Sequence, residues 1–166
     1  MKRKWLAATV GIICLALSSA SGLSLAGGMD LPAADGKEIY EYITKTNPYQ
    51  HWSLFPGKGK LYKGAHPHGA LLTTYVSFDA LQAIQNKVGL LPINSFVIKE
   101  NYRPDKTLAA VTVMYRVKGY DAEAGDWFWA KYKATGEIEK EGKVSGCINC
   151  HAAVINNDWI FTGPVK

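Results

Sequence analysis

Two cysteines and a histidine near the C-terminal end form the most chemically specific pattern in the chain. Cys147 and Cys150 are separated by two residues, and His151 follows directly. This C-x-x-C-H pattern is typical of covalent haem attachment, in which each thiol adds to one vinyl group of the haem. The adjacent histidine then lies beneath the iron as its proximal ligand. The sequence therefore predicts one haem c on Cys147 and Cys150, with its iron bound to His151.

Other uses of a C-x-x-C pair fit the chain less well. A thioredoxin-like disulfide is expected at the start of a helix after an early strand, whereas this pair lies close to the C-terminal end. A structural zinc site needs further ligands, and no second cysteine pair exists. His66-Pro67-His68 is a weak candidate for a metal clip, because no carboxylate lies near it in sequence.

The N-terminal end has the layout of a signal peptide. Lys2, Arg3 and Lys4 precede a mostly apolar run from Trp5 to about Ala26. Small residues at Ser24 and Ala26 favour cleavage after Ala26, with Ala20 as the alternative site. A signal peptide over residues 1–26 leaves one domain over residues 27–166 and predicts export to the periplasm. Retention of the apolar run as a membrane anchor is the alternative.

The basic character of the chain belongs largely to this leader. Removal of its three positive charges lowers the formal net charge from +5 to +2. No cluster of lysine and arginine interleaved with aromatic residues follows it, so the sequence gives little support to nucleic-acid binding.

Hydrophobic periodicity predicts two short helices. The first covers Gly36–Thr46 and ends at Asn47-Pro48. The second follows Ser77 as its cap and ends at Gly89. Its expected apolar face consists of Phe78, Leu81, Ile84 and Val88.

Alternation with a period of two predicts four half-buried strands. These strands are Ala70–Val76, Ser95–Tyr102, Leu108–Tyr120 and Trp127–Lys133. Short turns between consecutive strands favour antiparallel pairing. The expected fold is therefore α+β, a single domain with an antiparallel β-sheet, a few short helices and the haem site at the C-terminus.

The position of the haem motif bears on the sixth coordination position of the iron. Small electron-carrying cytochromes usually attach haem near the N-terminus and supply a methionine ligand from downstream. No methionine follows His151, and Met114 lies in a predicted strand, where a core position is the simpler interpretation. An iron with five ligands binds small molecules such as NO, CO or hydroxylamine. The alternative is a six-coordinate electron-transfer cytochrome with His68 or Met114 as the distal ligand.

Several segments together resemble the cytochrome P460 family, which includes the cytochrome c′-beta proteins. They are His68-Gly69-Ala70 with Thr74-Tyr75-Val76, residues 96–102, residues 113–120, residues 125–129 and residues 147–151. The resemblance covers roughly residues 66–162. It implies a sheet-rich α+β domain, commonly a homodimer, that acts either in hydroxylamine oxidation with a periplasmic electron acceptor or in NO binding.

Lys99 is the residue on which the resemblance makes function depend, whereas His68 stands where the resemblance implies a distal apolar or aromatic residue. In hydroxylamine-oxidising members a lysine bonds covalently to the haem edge, and Lys99 matches it by strand position. Such a bond requires a neutral amine, which burial beside a haem would favour. The alternative is an exposed strand lysine. His68 is a candidate distal base or sixth ligand, whereas alternation places Glu100 on the face opposite Lys99.

Overall fold

The structure, a computed structural model, describes residues 30–166. The predicted signal peptide at residues 1–26 lies outside this range. Among residues 30–166, no helix is long and apolar enough to cross a membrane.

Short helices lie before, between and after the strands of the described residues. They are α1 (Gly36–Glu41), which continues as a π-helix (Tyr42–Thr46), α2 (Phe78–Gln85) and α3 (Ser145–His151). Single 3₁₀ turns cover Tyr49–His51 and Ala122–Ala124, and a longer 3₁₀ segment, Ala152–Asn157, follows α3. The first predicted helix is confirmed, and Asp35 caps it by accepting hydrogen bonds from the N–H groups of Lys37 and Glu38.

Within residues 30–166, seven antiparallel strands form one sheet, which confirms the α+β prediction. They are β1 (Ser53–Leu54), β2 (Tyr62–Lys63), β3 (Leu71–Val76), β4 (Phe96–Tyr102), β5 (Leu108–Arg116), β6 (Trp127–Lys133) and β7 (Ile138–Gly142). Their order is β1-β3-β4-β5-β6-β7, and β2 also pairs with β3. The sheet therefore places β4 at its centre, with Lys99 opposite Thr74 of β3 and Thr112 of β5.

The central strands are buried on both faces, so the prediction of half-buried strands is wrong for them. On one face Val97, Met114 and Trp129 pack in a cluster that includes α2 and reaches α3. On the other face Phe96 and Ile98 pack in a cluster that includes α1. Period-two alternation still applies, but it assigns side chains to two covered faces rather than to a core and to water.

The apolar face predicted for α2 is also partly wrong. Phe78 is 72% exposed and Val88 is 63% exposed, whereas Ala80, Ala83 and Ile84 are buried. The helix ends at Gln85, before Gly89, so Val88 lies beyond it. Small alanines face the sheet because they allow the helix to approach it closely.

Strand β7 was not predicted because its sequence shows no apolar alternation. Residues 138–141 are exposed and mostly charged, as is common for an edge strand. Its pairing with β6 depends on main-chain hydrogen bonds and on the turn at Gly136, which has a positive φ of 90°.

A buried ion pair joins the end of β5 to the chain that follows α3. Arg116 Nη1 lies 3.1 Å from Asp158 Oδ2 and donates a hydrogen bond to the Leu91 carbonyl oxygen at 2.6 Å. The Leu91 N–H donates to Asp158 Oδ2 at 2.7 Å. Burial raises the pKa of Asp158, although the Leu91 N–H and Arg116 both favour its charged form. This network fixes the segment that contains Trp159.

We expect Asp158→Asn to lower the free energy of unfolding by about 3–5 kcal/mol, because it leaves the Arg116 charge buried without its counter-ion. Asparagine tolerates the positive φ of 53° at this position, so the effect is electrostatic rather than steric. Urea unfolding followed by circular dichroism measures it. The control Glu139→Gln breaks the exposed pair with Lys131 and should cost less than about 1 kcal/mol. Equal losses in the two variants would contradict the role given to Asp158.

Candidate haem-binding site

Helix α3 presents two thiols and one imidazole on the same side. Cys147, Cys150 and His151 are three and four residues apart, which places them on one helical face. Both cysteines are free thiols. All three residues line a cavity of about 430 Å³ between α3 and the sheet. The two thiols can therefore react with one group in the cavity while the imidazole binds its metal.

His151 is held by a hydrogen bond to the main chain. Its Nδ1 lies 2.6 Å from the carbonyl oxygen of Trp159, which can only accept, so Nδ1 carries the proton. Nε2 consequently keeps its lone pair and is free to bind a metal. Burial lowers the pKa of His151, which further favours the neutral ring, although this hydrogen bond acts in the opposite direction.

Strand β4 forms the opposite wall of the cavity. Alternation directs Val97, Lys99 and Asn101 towards the cavity. Glu100 lies on the other face, as predicted, where it accepts hydrogen bonds from the hydroxyls of Tyr49 at 3.0 Å and Tyr102 at 2.7 Å. Glu100 is therefore separated from the cavity by the sheet itself.

Lys99 is 8% exposed, so it is not a strand lysine facing water. Burial, followed by the charge of Lys58, lowers the pKa of Lys99 to about 8. Within residues 30–166 its ammonium group forms no salt bridge. A buried cation without a counter-ion is costly, so the neutral amine is favoured relative to an exposed lysine.

His68 lies in the loop before β3 and reaches the same cavity. Its ring centroid is 6.3 Å from that of His151, with the ring planes at 83°. Burial, and then the charge of Lys99, lowers the pKa of His68 to about 4, so its ring is neutral at neutral pH. His66 is exposed and does not line the cavity. In the described part of the chain no group of three or more His, Cys, Asp or Glu residues can hold a bare metal ion.

Met114 lies on the cavity wall but belongs to the packed core. It is 7% exposed and packs in the same cluster as Val97 and Trp129. Trp129 also contacts His151, with ring centroids 4.8 Å apart. The core position that the sequence favours for Met114 therefore agrees with its packing.

The donor set of the cavity fits a haem c. Two thiols and an imidazole with a free Nε2 share one helical face, and the walls are largely apolar, as is usual for cofactor sites. A sequence model of the cytochrome P460 family matches residues 48–162. The chain belongs to the cytochrome P460 family. The matched range includes all seven strands, α2 and α3, and family membership supports a haem-binding cytochrome. The chain has no match among the curated proteins with which it was compared.

Two residues that bond to the histidines of this site were not identified from the sequence. Asn101 bonds to His68 from the neighbouring strand, and a buried asparagine inside a strand is the signal that could have identified it. Trp159 orients His151 through its carbonyl oxygen. Because the main chain makes this contact, it does not depend on residue type and cannot be identified from the sequence.

We expect Cys147→Ala with Cys150→Ala to abolish covalent attachment of haem to α3, because both thioether bonds are lost. Mass spectrometry of the digested protein measures this directly, because it shows which peptide carries the haem. Asn149→Ala is the matched control, since Asn149 lies between the cysteines on α3 and is exposed. Haem that stays bonded to the peptide of residues 145–151 in the double variant would contradict the assignment of the two thiols, whereas a bond through Lys99 alone would not.

Proposed function

We propose that this protein is a periplasmic cytochrome with one haem c that binds small reactive nitrogen species, NO or hydroxylamine, at the iron position opposite His151. The observation that carries the proposal is that Lys99 and His68 face α3 across a single cavity. Export to the periplasm rests on the predicted signal peptide. Homodimer formation stays a prediction from the family resemblance.

Cys147 and Cys150 would hold the haem, and His151 would bind its iron through Nε2. When bound, the group supplies an iron that accepts a nitrogen ligand and exchanges electrons with a periplasmic partner. The protein contributes a largely apolar cavity, in which electrostatic interactions are stronger than in water.

Lys99 supports an enzymatic form of this function. Its lowered pKa of about 8 increases the fraction of neutral amine that a covalent bond to the haem edge requires. In this form hydroxylamine is oxidised, and the periplasmic acceptor takes the electrons that are released. Without the bond to Lys99, the same cavity serves as an NO-binding site with no catalytic step.

Among residues 30–166, His68 is the one histidine besides His151 that lines the cavity, so it is the candidate to receive a proton from a bound ligand. No aspartate or glutamate lines the cavity within residues 30–166. The Nδ1 of His68 is hydrogen-bonded to Asn101, which leaves the Nε2 of His68 as the basic atom. A distal base in the cavity is therefore a neutral imidazole rather than a carboxylate.

A six-coordinate electron-transfer cytochrome is the second candidate. The ring of His68 lies opposite His151, where permanent binding to iron would close the position to other ligands. CO binding by the ferrous protein separates the candidates. A ferrous protein that binds neither CO nor NO and does not oxidise hydroxylamine would support the electron carrier and contradict the proposed function.

We expect mass spectrometry of the digested protein to find Lys99 linked to the haem peptide if the enzymatic form is correct. Lys99→Met should then remove the link and lower hydroxylamine-dependent reduction of an electron acceptor at least tenfold, equivalent to about 1.4 kcal/mol. Lys63→Met, at an exposed lysine of β2, is the matched control and should keep the full rate. An unlinked Lys99 in a protein that still binds NO would support the binding form instead.

A further inference from the structure

The spacing of two imidazole rings indicates which residues would ligate the iron of a bound haem. His68 and His151 lie on opposite sides of the cavity with ring centroids 6.3 Å apart. Two histidines do not make a site for a bare ion. A haem supplies four nitrogen ligands of its own, so it needs from the protein only the two axial positions that two histidines can fill.

The distance distinguishes a sixth ligand from a distal base. A metal–imidazole bond is roughly 2 Å, and the bound nitrogen lies roughly 1 Å from its ring centroid, so two axial imidazoles have centroids about 6 Å apart. A distal base must also leave room for the bound ligand and a hydrogen bond, which increases the separation to about 9 Å. The observed 6.3 Å agrees with direct ligation. Axial rings can adopt any rotation about the bond axis, so the angle of 83° is compatible with it.

Asn101 sets the tautomer of His68. Its Nδ2 donates to the carbonyl oxygens of Lys99 at 2.9 Å and Ala110 at 3.3 Å, which only an amide nitrogen can do. Oδ1 must therefore be the atom that faces His68 Nδ1 at 2.9 Å, and Nδ1 must donate. The lone pair of His68 is consequently on Nε2, as it is in His151.

The remaining donors on the cavity wall are less suited to the axial position. Met114 packs in the core beside Val97 and Trp129. Lys99 is the candidate for a bond at the haem edge, which would occupy its nitrogen.

We propose that His68 Nε2 is the resting sixth ligand of the iron, that Asn101 is its positioning residue, and that a small ligand binds only after His68 has left. This inference rests on the proposed haem site and deepens the proposed function, because it makes ligand access conditional on breaking one iron–nitrogen bond. The proton stays on His68 Nδ1 during the exchange, and no oxidation or reduction is required.

The purified ferric holoprotein tests the proposal by electron paramagnetic resonance. We expect a low-spin spectrum for the wild type and a high-spin spectrum for His68→Ala, with low spin restored by added imidazole. His66→Ala is the matched control on the same loop, and because His66 is exposed it should keep the wild-type spectrum. If His68→Ala does not fold, the near-infrared magnetic circular dichroism of the wild type identifies the ligand pair instead.

Asn101→Leu tests the positioning role. It removes the hydrogen-bond acceptor at similar volume, and we expect at least half of the low-spin signal to be lost and then recovered with imidazole. A purely structural defect would not be recovered in this way. Unchanged low spin in Asn101→Leu would overturn the role of Asn101.

A high-spin wild type, or a low-spin His68→Ala variant, would overturn the ligation proposal. Ligand binding is read separately, and we expect ferrous His68→Ala to bind CO at least tenfold faster than the wild type. If the wild type is low-spin through His68 and neither protein binds CO or NO, the ligation stands and the proposed function fails. If the wild type is high-spin and binds NO, the proposed function stands and the ligation fails.

Discussion

The hydrogen bond from His151 Nδ1 to the Trp159 carbonyl oxygen is the interaction on which the site depends. It fixes both the orientation of the proximal ring and the atom that carries its proton. The carbonyl group is itself held in place because the adjacent Asp158 pairs with Arg116 inside the core. The ion pair at the end of β5 therefore positions the imidazole of His151, the proposed iron ligand, through the main chain. A change in that pair would alter the cavity although neither of its residues lines it.

Alternation along β4 places the buried carboxylate of Glu100 and the buried amine of Lys99 on opposite faces of the sheet. Glu100 faces the opposite core, where each of its carboxylate oxygens accepts a hydrogen bond from a tyrosine hydroxyl. Lys99 faces the cavity and has no carboxylate partner within residues 30–166. A buried carboxylate with donors is a structural element, whereas a buried amine without a counter-ion is costly and points to function. Asn101 also lies on the cavity face. Its side chain bonds both the main-chain carbonyl oxygen of Lys99 and the ring of His68.

Local patterns predicted those parts of the protein whose information is local. The haem motif is recognised from the spacing of residues within one helix turn. Strand β6 is predicted from its alternation alone and has the predicted bounds, Trp127–Lys133. The burial of the second face of the sheet could not be predicted, because it depends on where α1 packs in the folded protein. The exposure of Phe78 has the same origin, since Ala80 and Ala83 occupy the side of α2 that packs on the core, whereas Val88 lies beyond the end of the helix. His68 was a candidate by type, but its distance from His151 arises from tertiary structure alone.

The most direct test of this account is a crystal structure of the haem-loaded protein. The account predicts a haem in the cavity between α3 and β4, attached to Cys147 and Cys150, with the iron bound to His151 Nε2 and facing His68. A haem on the outer side of α3, away from Lys99 and His68, would contradict it.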